Sequence, residues 1–473
     1  MFSFYRFVIT QIAGACAFCV LVCLPGIHLF SGQLLGKTDD SSSVNIQGAF
    51  LPDGSQEPDS AVSTDSSSGA PVLEQRSIVI PAVPEPVLDS LLVVDSLAHA
   101  DTVSVPGPGA EDSLAADSTR LFLEIEPGFN LLALRYNGIY LNAGTAGDSS
   151  RIEELIERCK GTPVGGFVID MKDDQGYLAY RSNNPLASQV GSNTRRVGNP
   201  AALVQHLHDS GLIACARVVA FKDPLLSTYS EKDAYPYAVL DSTTGFPWRQ
   251  DNGETWANPQ DDRVHDYLIA VVEELVCFGF DQIQLDYLRF PSDGDVSTCF
   301  YPVAIDSLNK AEIISFLLSR VRQVIDTTKI SLAADVFGWV PWLHEDRDYW
   351  IGQDYDLIAE YADVICPMLY SSHFPESFKA EYGPLRAYHI VREGTEKAAM
   401  RKGSHRTGVQ PYIQGFRWQE PHFGTDYLLQ QMQAATEGGA VGWIVWNAKN
   451  DYSALWEALN AKSLSSQAKT GQR

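Results

Sequence analysis

The sequence predicts an α/β protein in which residues 121–462 form a (β/α)8 TIM barrel. Beyond residue 128, short apolar runs alternate with longer amphipathic stretches, and the alternation occurs eight times. The runs are almost continuously apolar, which is typical of parallel strands that are covered on both faces. Eight strand–helix units in succession are the number that closes such a sheet into a barrel.

The predicted strands are short runs rich in Val, Ile, Leu and Phe. In chain order they are Leu131–Leu141, Val164–Lys172, Ile213–Phe221, Phe280–Phe290, Ile330–Trp339, Ala362–Tyr370, Thr407–Phe416 and Ala440–Ala448. The predicted helices lie between and after them. They are Ser149–Lys160, Asn199–Ser210, Asp261–Phe278, Ala311–Thr328, Ile351–Tyr361, Glu376–Lys402, Thr425–Glu437 and Tyr452–Ala461. Asn199 followed by Pro200 is typical of a helix start, and Gly211 of a helix end.

An apolar segment near the N-terminus is a separate part of the chain, assigned to residues 1–36. Phe7–Leu24 is 18 residues long and carries no charge, which approaches the ~20 residues of a membrane-spanning helix. Arg6 precedes it and Asp39 and Asp40 follow, which favours an N-terminus inside and a barrel outside. We therefore expect a membrane anchor with the barrel in the periplasm or at the cell surface. A cleaved signal peptide, which would give a secreted protein, is the alternative.

Residues 37–120 are predicted to form a disordered acidic linker. They contain no Trp, Tyr or Cys, and they are rich in Ser, Asp and Pro. Such a composition buries too little apolar surface to offset the entropy of ordering the chain. A short flexible tail is predicted at residues 463–473.

The charge balance argues against a nucleic-acid partner. The net charge is -24, whereas nucleic-acid binding depends on Lys and Arg side chains that neutralise phosphates. The linker carries 14 acidic and 3 basic side chains, so it contributes 3 - 14 = -11 of that charge. The barrel itself is only moderately acidic, and an acidic sugar polymer remains compatible with it.

Motifs for cofactors and metals are absent from the sequence. It has no phosphate-cradling glycine loop, no dinucleotide fingerprint and no serine nucleophile elbow. Three of the eight cysteines lie in the apolar segment, and the other five have no metal-type spacing. Cys215 and Cys366 fall inside predicted strands, where a free thiol acts as a small hydrophobic group. We expect no cofactor and no metal.

The fourth predicted strand carries the first candidate for catalysis. Active sites of such barrels lie at the C-terminal ends of the strands. In the run FDQIQLDYLRF, the alternation of a strand places Ile283, Leu285 and Tyr287 on one face and Asp286 on the other. The apolar face should meet the helices. Asp286 is therefore predicted to point into the barrel mouth, with Arg289 just above it as a substrate-binding residue.

The fifth strand supplies a second carboxylate. In ISLAADVFGW, Asp335 alternates with Ala334 and Val336, so it is also predicted to point inward. Neighbouring strands are about 4.8 Å apart, a spacing that allows two carboxylates to reach the separations found in glycosidases. Such a pair, one member protonated and one ionised, is what cleavage of a glycosidic bond requires. A purely structural ion pair between Asp286 and Arg289 is the alternative.

Several other side chains at the predicted strand ends are candidates for binding a substrate. Asp170 and Lys172 end the second strand, and the long loop after the third strand is predicted to form an ordered lid or substrate wall. Aromatic and amide side chains are the groups that bind sugar rings. The remaining candidates are Trp256 in that loop, Tyr370 and His373 after strand six, Gln410 and Gln414 in strand seven, and Trp443, Trp446 and Asn447 in strand eight.

Several long segments together resemble a known family. The segments IYLNAGTAG, GFVIDMKDDQGYLAY, FDQIQLDYLRFPSDG, CPMLYSSHF, QPYIQGF and GWIVWNAKNDY, in this order, are similar to the bacterial "putative glycosyl hydrolase domain" family. The resemblance covers about 335 residues and implies a glycosidase barrel related to the α-amylase group. It also implies that Asp286 is the nucleophile and Asp335 the proton donor. This chain has Asp at the fifth strand, where amylase-type donors are usually Glu.

Three functions follow as hypotheses. The first is a glycosidase that cleaves an extracytoplasmic polysaccharide or oligosaccharide with Asp286 and Asp335. The second is a non-catalytic glycan-binding barrel of the cell envelope. The third is a metal-dependent deacetylase or amidohydrolase, to which His206 and His208 point. These two histidines, however, end a predicted helix on the outside of the barrel.

Overall fold

The computed structural model describes residues 135–470, apart from 233, 305–307, 327, 344–350 and 402–406, and it gives the backbone alone for 462–470. The predicted membrane anchor, the acidic linker and the start of the predicted first strand lie outside the described residues. Within the described part of the chain, none of the helices has the length and apolar character needed to cross a membrane.

The described residues form a closed barrel of eight parallel strands, which confirms the predicted (β/α)8 architecture. The strands are β1 Asn137–Leu141, β2 Val164–Lys172, β3 Ile213–Val219, β4 Gln282–Asp286, β5 Ser331–Phe337, β6 Val364–Met368, β7 Gly408–Val409 with Tyr412–Gln414, and β8 Ile444–Trp446. Each pairs with the next in parallel, and β8 pairs with β1 to close the ring. Pro411 interrupts β7 because a proline has no N–H to donate to the ladder.

Helices follow the strands and cover the outside of the barrel. They are α1 Ala143–Gly147, α2 Ser149–Cys159, α3 Pro185–Val190, α4 Pro200–Asp209, α5 Pro224–Thr228, α6 Asp262–Phe278, α7 Lys310–Ile325, α8 Tyr355–Ala359, α9 Arg386–Met400, α10 Thr425–Glu437 and α11 Ser453–Thr470. The predicted cap of α4 is confirmed, since the Asn199 side chain accepts from the Ala202 N–H at 3.1 Å. Gly211 follows the helix in the left-handed region, with a φ of 75°.

Two helices are shorter than predicted, for local reasons. The predicted helix from 376 to 402 begins only at Arg386, because a kinked 3-10 segment with Gly383 and Pro384 precedes it. The helix predicted from residue 351 begins at Tyr355, where the side chain of Asp354 caps the first turn. Both starts are set by a residue that stops or caps a helix rather than by the apolar pattern.

Two cores hold the barrel together, one between the strands and helices and one inside the ring. Ile283 and Leu285 face the helices and are fully buried, as the alternation predicted. The inner core is smaller and contains both apolar and polar side chains. Its apolar members are Tyr136, Val168, Cys215, Ala333, Val364, Cys366, Tyr370, Tyr412 and Ile444.

The long loop after β3 is ordered and packs onto the barrel. Its strand Leu240–Asp241 pairs antiparallel with Cys299–Phe300, a strand that follows β4. Trp248 and Trp256 of this loop are buried. The loop therefore forms a fixed wall beside the C-terminal ends of β3 and β4.

Closure of the barrel depends on a close backbone approach at Gly442, just before β8. A Cβ atom there would lie 1.8 Å from the carbonyl oxygen of Tyr136, which precedes β1. That oxygen also accepts a hydrogen bond from Gln410 Nε2 at 2.7 Å. Only a residue without a side chain lets the last strand meet the first at this point.

Gly442→Ala should destabilise the protein by at least about 1–3 kcal/mol, because the methyl group forces the β8–β1 seam apart. Gly198→Ala is the matched control, since a Cβ at Gly198 has no neighbour within 4 Å. It should change stability by less than about 0.5 kcal/mol. Urea unfolding of both variants measures the difference, and equal stabilities would contradict the role given to Gly442.

Candidate active site

Arg217 of β3 lies inside the barrel and joins side chains of three neighbouring strands. It contacts Asp286 of β4 through Nε at 3.0 Å and through Nη2. Its Nη1 donates to Asp170 of β2. The guanidinium also faces the ring of Trp446, 5.1 Å from the ring centroid. One buried cation is thus shared by two carboxylates.

A pocket of about 480 Å³ opens above this cluster, at the C-terminal ends of the strands. Its charged lining residues are Arg217, Asp286, Arg289 and Asp293. Its aromatic lining residues are Tyr287, Phe337, Trp339, Tyr370, His373, Phe374, Tyr412 and Trp446. The pocket has the position expected for the active site of a TIM barrel.

Asp286 reaches the pocket from the end of β4. Its Oδ2 takes the hydrogen bonds from Arg217, and its Oδ1 accepts from the backbone N–H of Tyr287 at 2.5 Å. Tyr287 has a φ of 48°, so the strand alternation ends at Asp286. This is why Tyr287 lines the pocket, whereas the alternation predicted it on the face of Ile283.

Asp335 lies next to Asp286 on the neighbouring strand but does not line the pocket. It is fully buried inside the barrel, beside Gln284 and Cys366. Burial, and then the charge of Asp286, raises the pKa of Asp335 well above its usual range. Asp335 therefore holds its proton more strongly than an ordinary aspartic acid does, beside Asp286 on the neighbouring strand.

Asp170 completes the charged cluster on the side of β2. It accepts hydrogen bonds from Arg217 and from the hydroxyl of Tyr140, and it is buried. Burial raises the pKa of Asp170 to about 6, although Arg217 opposes the shift. The ring of Tyr140 stacks on Trp446 with 3.8 Å between the centroids.

Arg289 lines the pocket on the side of the loop after β3. Its guanidinium carbon lies 4.7 Å from the ring centroid of Trp256, 5.3 Å from that of Tyr287 and 4.4 Å from that of Phe337. Trp256 is buried beneath it and does not line the pocket. Trp256 therefore contributes to the pocket indirectly, as the ring against which Arg289 packs.

A row of aromatic rings leads from the pocket to the surface. Tyr412 contacts Trp446 on one side and Tyr370 on the other, with ring centroids 5.8 and 6.4 Å apart. His373 lies between Tyr370 and Trp418, at 5.1 and 5.7 Å. Burial lowers the pKa of His373, which keeps the imidazole neutral at pH 7. Trp418 is 48% exposed at the outer end of the row.

Lys172, another predicted substrate-binding residue, lies outside the pocket. Its Nζ pairs with Asp223 at 2.8 Å and donates to the carbonyl of Val219 at 2.8 Å, all within the core. The pairing of β2 with β3 shifts register between Asp170 and Lys172. Such an irregularity breaks the strand alternation that would otherwise place both side chains on one face.

Four further predicted residues are buried and hold the structure of strands and loops. Gln410 donates to a backbone carbonyl below the pocket, and Trp443 packs in the core between strands and helices. The side chain of Gln414 donates to Phe416 O and Trp418 O, both at 3.0 Å. That of Asn447 donates to the carbonyl of residue 415 at 2.8 Å. None of the four lines the pocket.

The prediction missed Arg217, which lies at the centre of the cluster. It is the single charged side chain in the strand run IACARVV, and it shares the face of Cys215 by alternation. A charge inside an otherwise apolar strand is costly unless partners exist. That signal could have identified Arg217, because Asp170 and Asp286 were already predicted to face inward.

The histidines that suggested a metal site have separate partners on the outside of the barrel. His206 pairs with Glu153 at 2.8 Å and His208 with Asp281 at 2.9 Å. Across residues 135–470 as described, no three His, Cys, Asp or Glu side chains are grouped so that they could hold a metal ion. The pocket itself is lined by carboxyl, guanidinium, imidazole, amide and aromatic groups.

A family model described as "Putative glycosyl hydrolase domain" matches residues 138–452. The match spans the whole barrel, and it confirms the resemblance of the sequence segments. No curated protein matches this sequence.

Several solved structures are similar to this chain, to different degrees. The PgaB (BpsB) glycoside hydrolase domain from Bordetella bronchiseptica superposes with a TM-score of 0.51 at 15% identity, over 69% of this chain and 99% of that one. A hypothetical protein from Ruminiclostridium thermocellum ATCC 27405 is 32% identical over 42% of this chain and 97% of its own, with a TM-score of 0.37. The α-galactosidase TtGalA from Thermus thermophilus is 13% identical over 67% and 59% of the two chains, with a TM-score of 0.41.

The raised pKa of Asp170 predicts a pH-dependent stability. The folded protein keeps a proton on Asp170 up to pH about 6, whereas the unfolded chain releases it near pH 3.9. The free energy of unfolding should therefore fall as the pH rises through this window. About 3 kcal/mol of the fall is expected from Asp170, since one pKa unit corresponds to about 1.4 kcal/mol. The raised pKa of Asp335 adds to the fall in the free energy of unfolding with rising pH.

Asp170→Asn should flatten this pH dependence without abolishing it, because Asp335 remains. The measurement is urea unfolding at several pH values between 4 and 7. Asp209→Asn, at an exposed carboxylate of α4, is the matched control and should keep the wild-type slope. The same slope in Asp170→Asn and wild type would show that Asp170 takes up no proton on folding.

Proposed function

This chain belongs to the family described as "Putative glycosyl hydrolase domain", and on that premise we propose that it hydrolyses O-glycosidic bonds of an extracytoplasmic polysaccharide or oligosaccharide. One observation carries the proposal. Asp286 lies in an aromatic-lined pocket, and burial together with the charge of Asp286 raises the pKa of Asp335 on the neighbouring strand. Glycosidases use such a pair, with one carboxyl group as acid and the other as nucleophile or base.

In the proposed reaction, Asp286 attacks the anomeric carbon of the sugar. The bond between that carbon and the leaving oxygen breaks, and Asp335 gives its proton to the leaving oxygen. Water then hydrolyses the glycosyl–enzyme ester and restores the proton to Asp335. For this role, the Asp335 carboxyl must come within about 3 Å of the leaving oxygen when substrate is bound.

The aromatic lining supports a carbohydrate as the substrate. Flat aromatic faces pack against the apolar faces of sugar rings, and the charged groups beside them bind hydroxyls. The row of rings from Trp446 to the exposed Trp418 extends beyond a single sugar. This length favours a chain of sugars over a monosaccharide glycoside.

The extracytoplasmic location is also a proposal, and it rests on the sequence alone. The uncharged segment Phe7–Leu24 and the acidic linker would hold the barrel outside a membrane. A polysaccharide substrate is consistent with that location, because envelope and extracellular polymers lie there.

A glycan-binding barrel without catalysis is the second candidate, and the burial of Asp335 favours it. In the structure only Asp286 of the proposed pair lines the pocket. Its oxygens already accept hydrogen bonds from Arg217 and the Tyr287 backbone. A barrel of this kind would bind the same glycan in the same pocket and release no product.

Replacement of the two carboxyl groups separates these functions. On a glycan that the wild-type protein cleaves, Asp286→Asn should lower kcat/KM at least about 10³-fold, because it removes the nucleophile. Asp335→Asn should lower it about 10²–10⁴-fold, because it removes the general acid. New reducing ends from a panel of polysaccharides and aryl glycosides provide the measurement, and Asp209→Asn is the control.

The leaving group tests the role of Asp335 more sharply. If Asp335 donates the proton, Asp335→Asn should be impaired far less on nitrophenyl glycosides than on sugar–sugar linkages, because nitrophenolate leaves without protonation. An equal loss on both would assign Asp335 a positioning role instead. Binding without new reducing ends on any panel member, by a wild-type protein that is folded, would favour the non-catalytic barrel and sink the hydrolase proposal.

A further inference from the structure

Arg289 is a buried cation with no carboxylate oxygen closer than 4.0 Å in the part of the chain that the structure describes. It is 4% exposed, and its nearest carboxylate oxygen among the described residues, Asp293 Oδ2, lies 4.0 Å from Nη2. The side chain of Asp293 is itself 61% exposed. Lys172, which is buried elsewhere in the barrel, has its partner Asp223 at 2.8 Å. A buried charge of this kind is costly unless something neutralises it.

The surroundings of Arg289 fix its position without neutralising its charge. The three aromatic rings around it stabilise a cation through their faces but carry no net charge. Its Nη1 donates to Phe290 O at 3.1 Å and to Ser292 Oγ at 2.8 Å, and both acceptors are neutral. Burial lowers the pKa of Arg289, which is consistent with a cation that lacks a close counter-charge. An arginine remains charged nonetheless.

One edge of the guanidinium has no hydrogen-bond acceptor among the described residues. Nε and Nη2 of Arg289 make no hydrogen bond with any described residue, although Arg289 lines the pocket. These two N–H groups form the side-on fork that binds a carboxylate through two parallel hydrogen bonds. Asp286 lines the same pocket but does not occupy this fork, since it accepts from Arg217 and Tyr287.

We propose that the pocket takes a glycan that contains a uronic acid, and that Arg289 binds the carboxylate of that sugar. The proposal rests on the proposed function for the identity of the site. The aromatic rings bind the sugar face, and the fork of Arg289 selects the acidic substituent. Since the guanidinium is already held by three rings, little side-chain entropy is lost when the ligand binds.

Ligand-detected NMR titration of the full chain tests this with matched sugars. The probes are glucuronate, galacturonate and mannuronate against glucose, galactose and mannose, with methyl galacturonate ester and a 6-sulfated galactose as further arms. At least one uronate should bind about tenfold or more tightly than its neutral partner and its ester, as a charge-assisted fork provides. Tighter binding of the sulfated sugar than of every uronate would reject the carboxylate.

Single substitutions test whether Arg289 causes the preference for acidic over neutral sugars. Arg289→Met should reduce the ratio of acidic to neutral affinity to less than about twofold, and Arg289→Lys should keep part of it. Asp293→Asn should raise the affinity for the uronate, because it removes the competing carboxylate at 4.0 Å. Arg158→Gln, at an exposed position of α2, is the control and should leave the ratio unchanged. Asp293→Asn serves as the test by itself if Arg289→Met does not fold.

Two results would overturn the inference. One is a wild-type protein that binds no uronate more tightly than its neutral partner, including one that binds no uronate at 10 mM. The other is an unchanged ratio in Arg289→Met. Neither result bears on hydrolysis, which is judged from the Asp286 and Asp335 variants on any cleaved glycan. Loss of hydrolysis, in turn, leaves the binding ratio measurable.

Discussion

The site depends on the ion-pair cluster of Arg217 with Asp170 and Asp286. Burial of an arginine costs several kcal/mol unless close partners offset the loss of hydration. Here the two partners come from the strands on either side, so the cation cross-links β2, β3 and β4 inside the barrel. The same contact fixes the carboxylate of Asp286 at the pocket floor. The same ion pairs therefore stabilise the barrel and hold Asp286 in position at the pocket.

Below that cluster, polar side chains inside the barrel form hydrogen bonds with one another. Tyr412 donates to the Gln284 side chain at 2.9 Å, and Gln284 donates to the thiol of Cys366 at 3.1 Å. One layer lower, Tyr136 donates to Gln282 at 2.9 Å. These bonds satisfy buried groups that would otherwise destabilise the fold. These side chains lie inside the barrel below the pocket.

The sequence predicted the architecture well and the site in part. Eight apolar runs were enough for the barrel, because the strand pattern is local in sequence. The inward direction of Asp286 followed from the same pattern, which holds as far as that residue. It failed at Tyr287, which has a positive φ, and at Lys172, where the register shifts. Neither irregularity has a clear sequence signal.

Contacts between residues that are far apart in the chain could not be predicted from a local sequence pattern. Arg217 and Asp286 are 69 residues apart in the chain, and nothing near either residue specifies the other. The burial of Asp335 has the same origin, since it depends on what the other strands place around it. Side chains at strand ends can be predicted as a set, whereas their division into pocket and core depends on the assembled ring.

Strands and the loop after β3 position different side chains of the pocket. The carboxyl groups come from strands, where any displacement disturbs the whole ring. Arg289, in contrast, rests on Trp256, which belongs to a surface loop. Changes in that loop can shift Arg289 while the strands and their carboxyl groups stay as they are. The pocket thus combines carboxyl groups that the ring of strands holds in place with a guanidinium whose position depends on a loop.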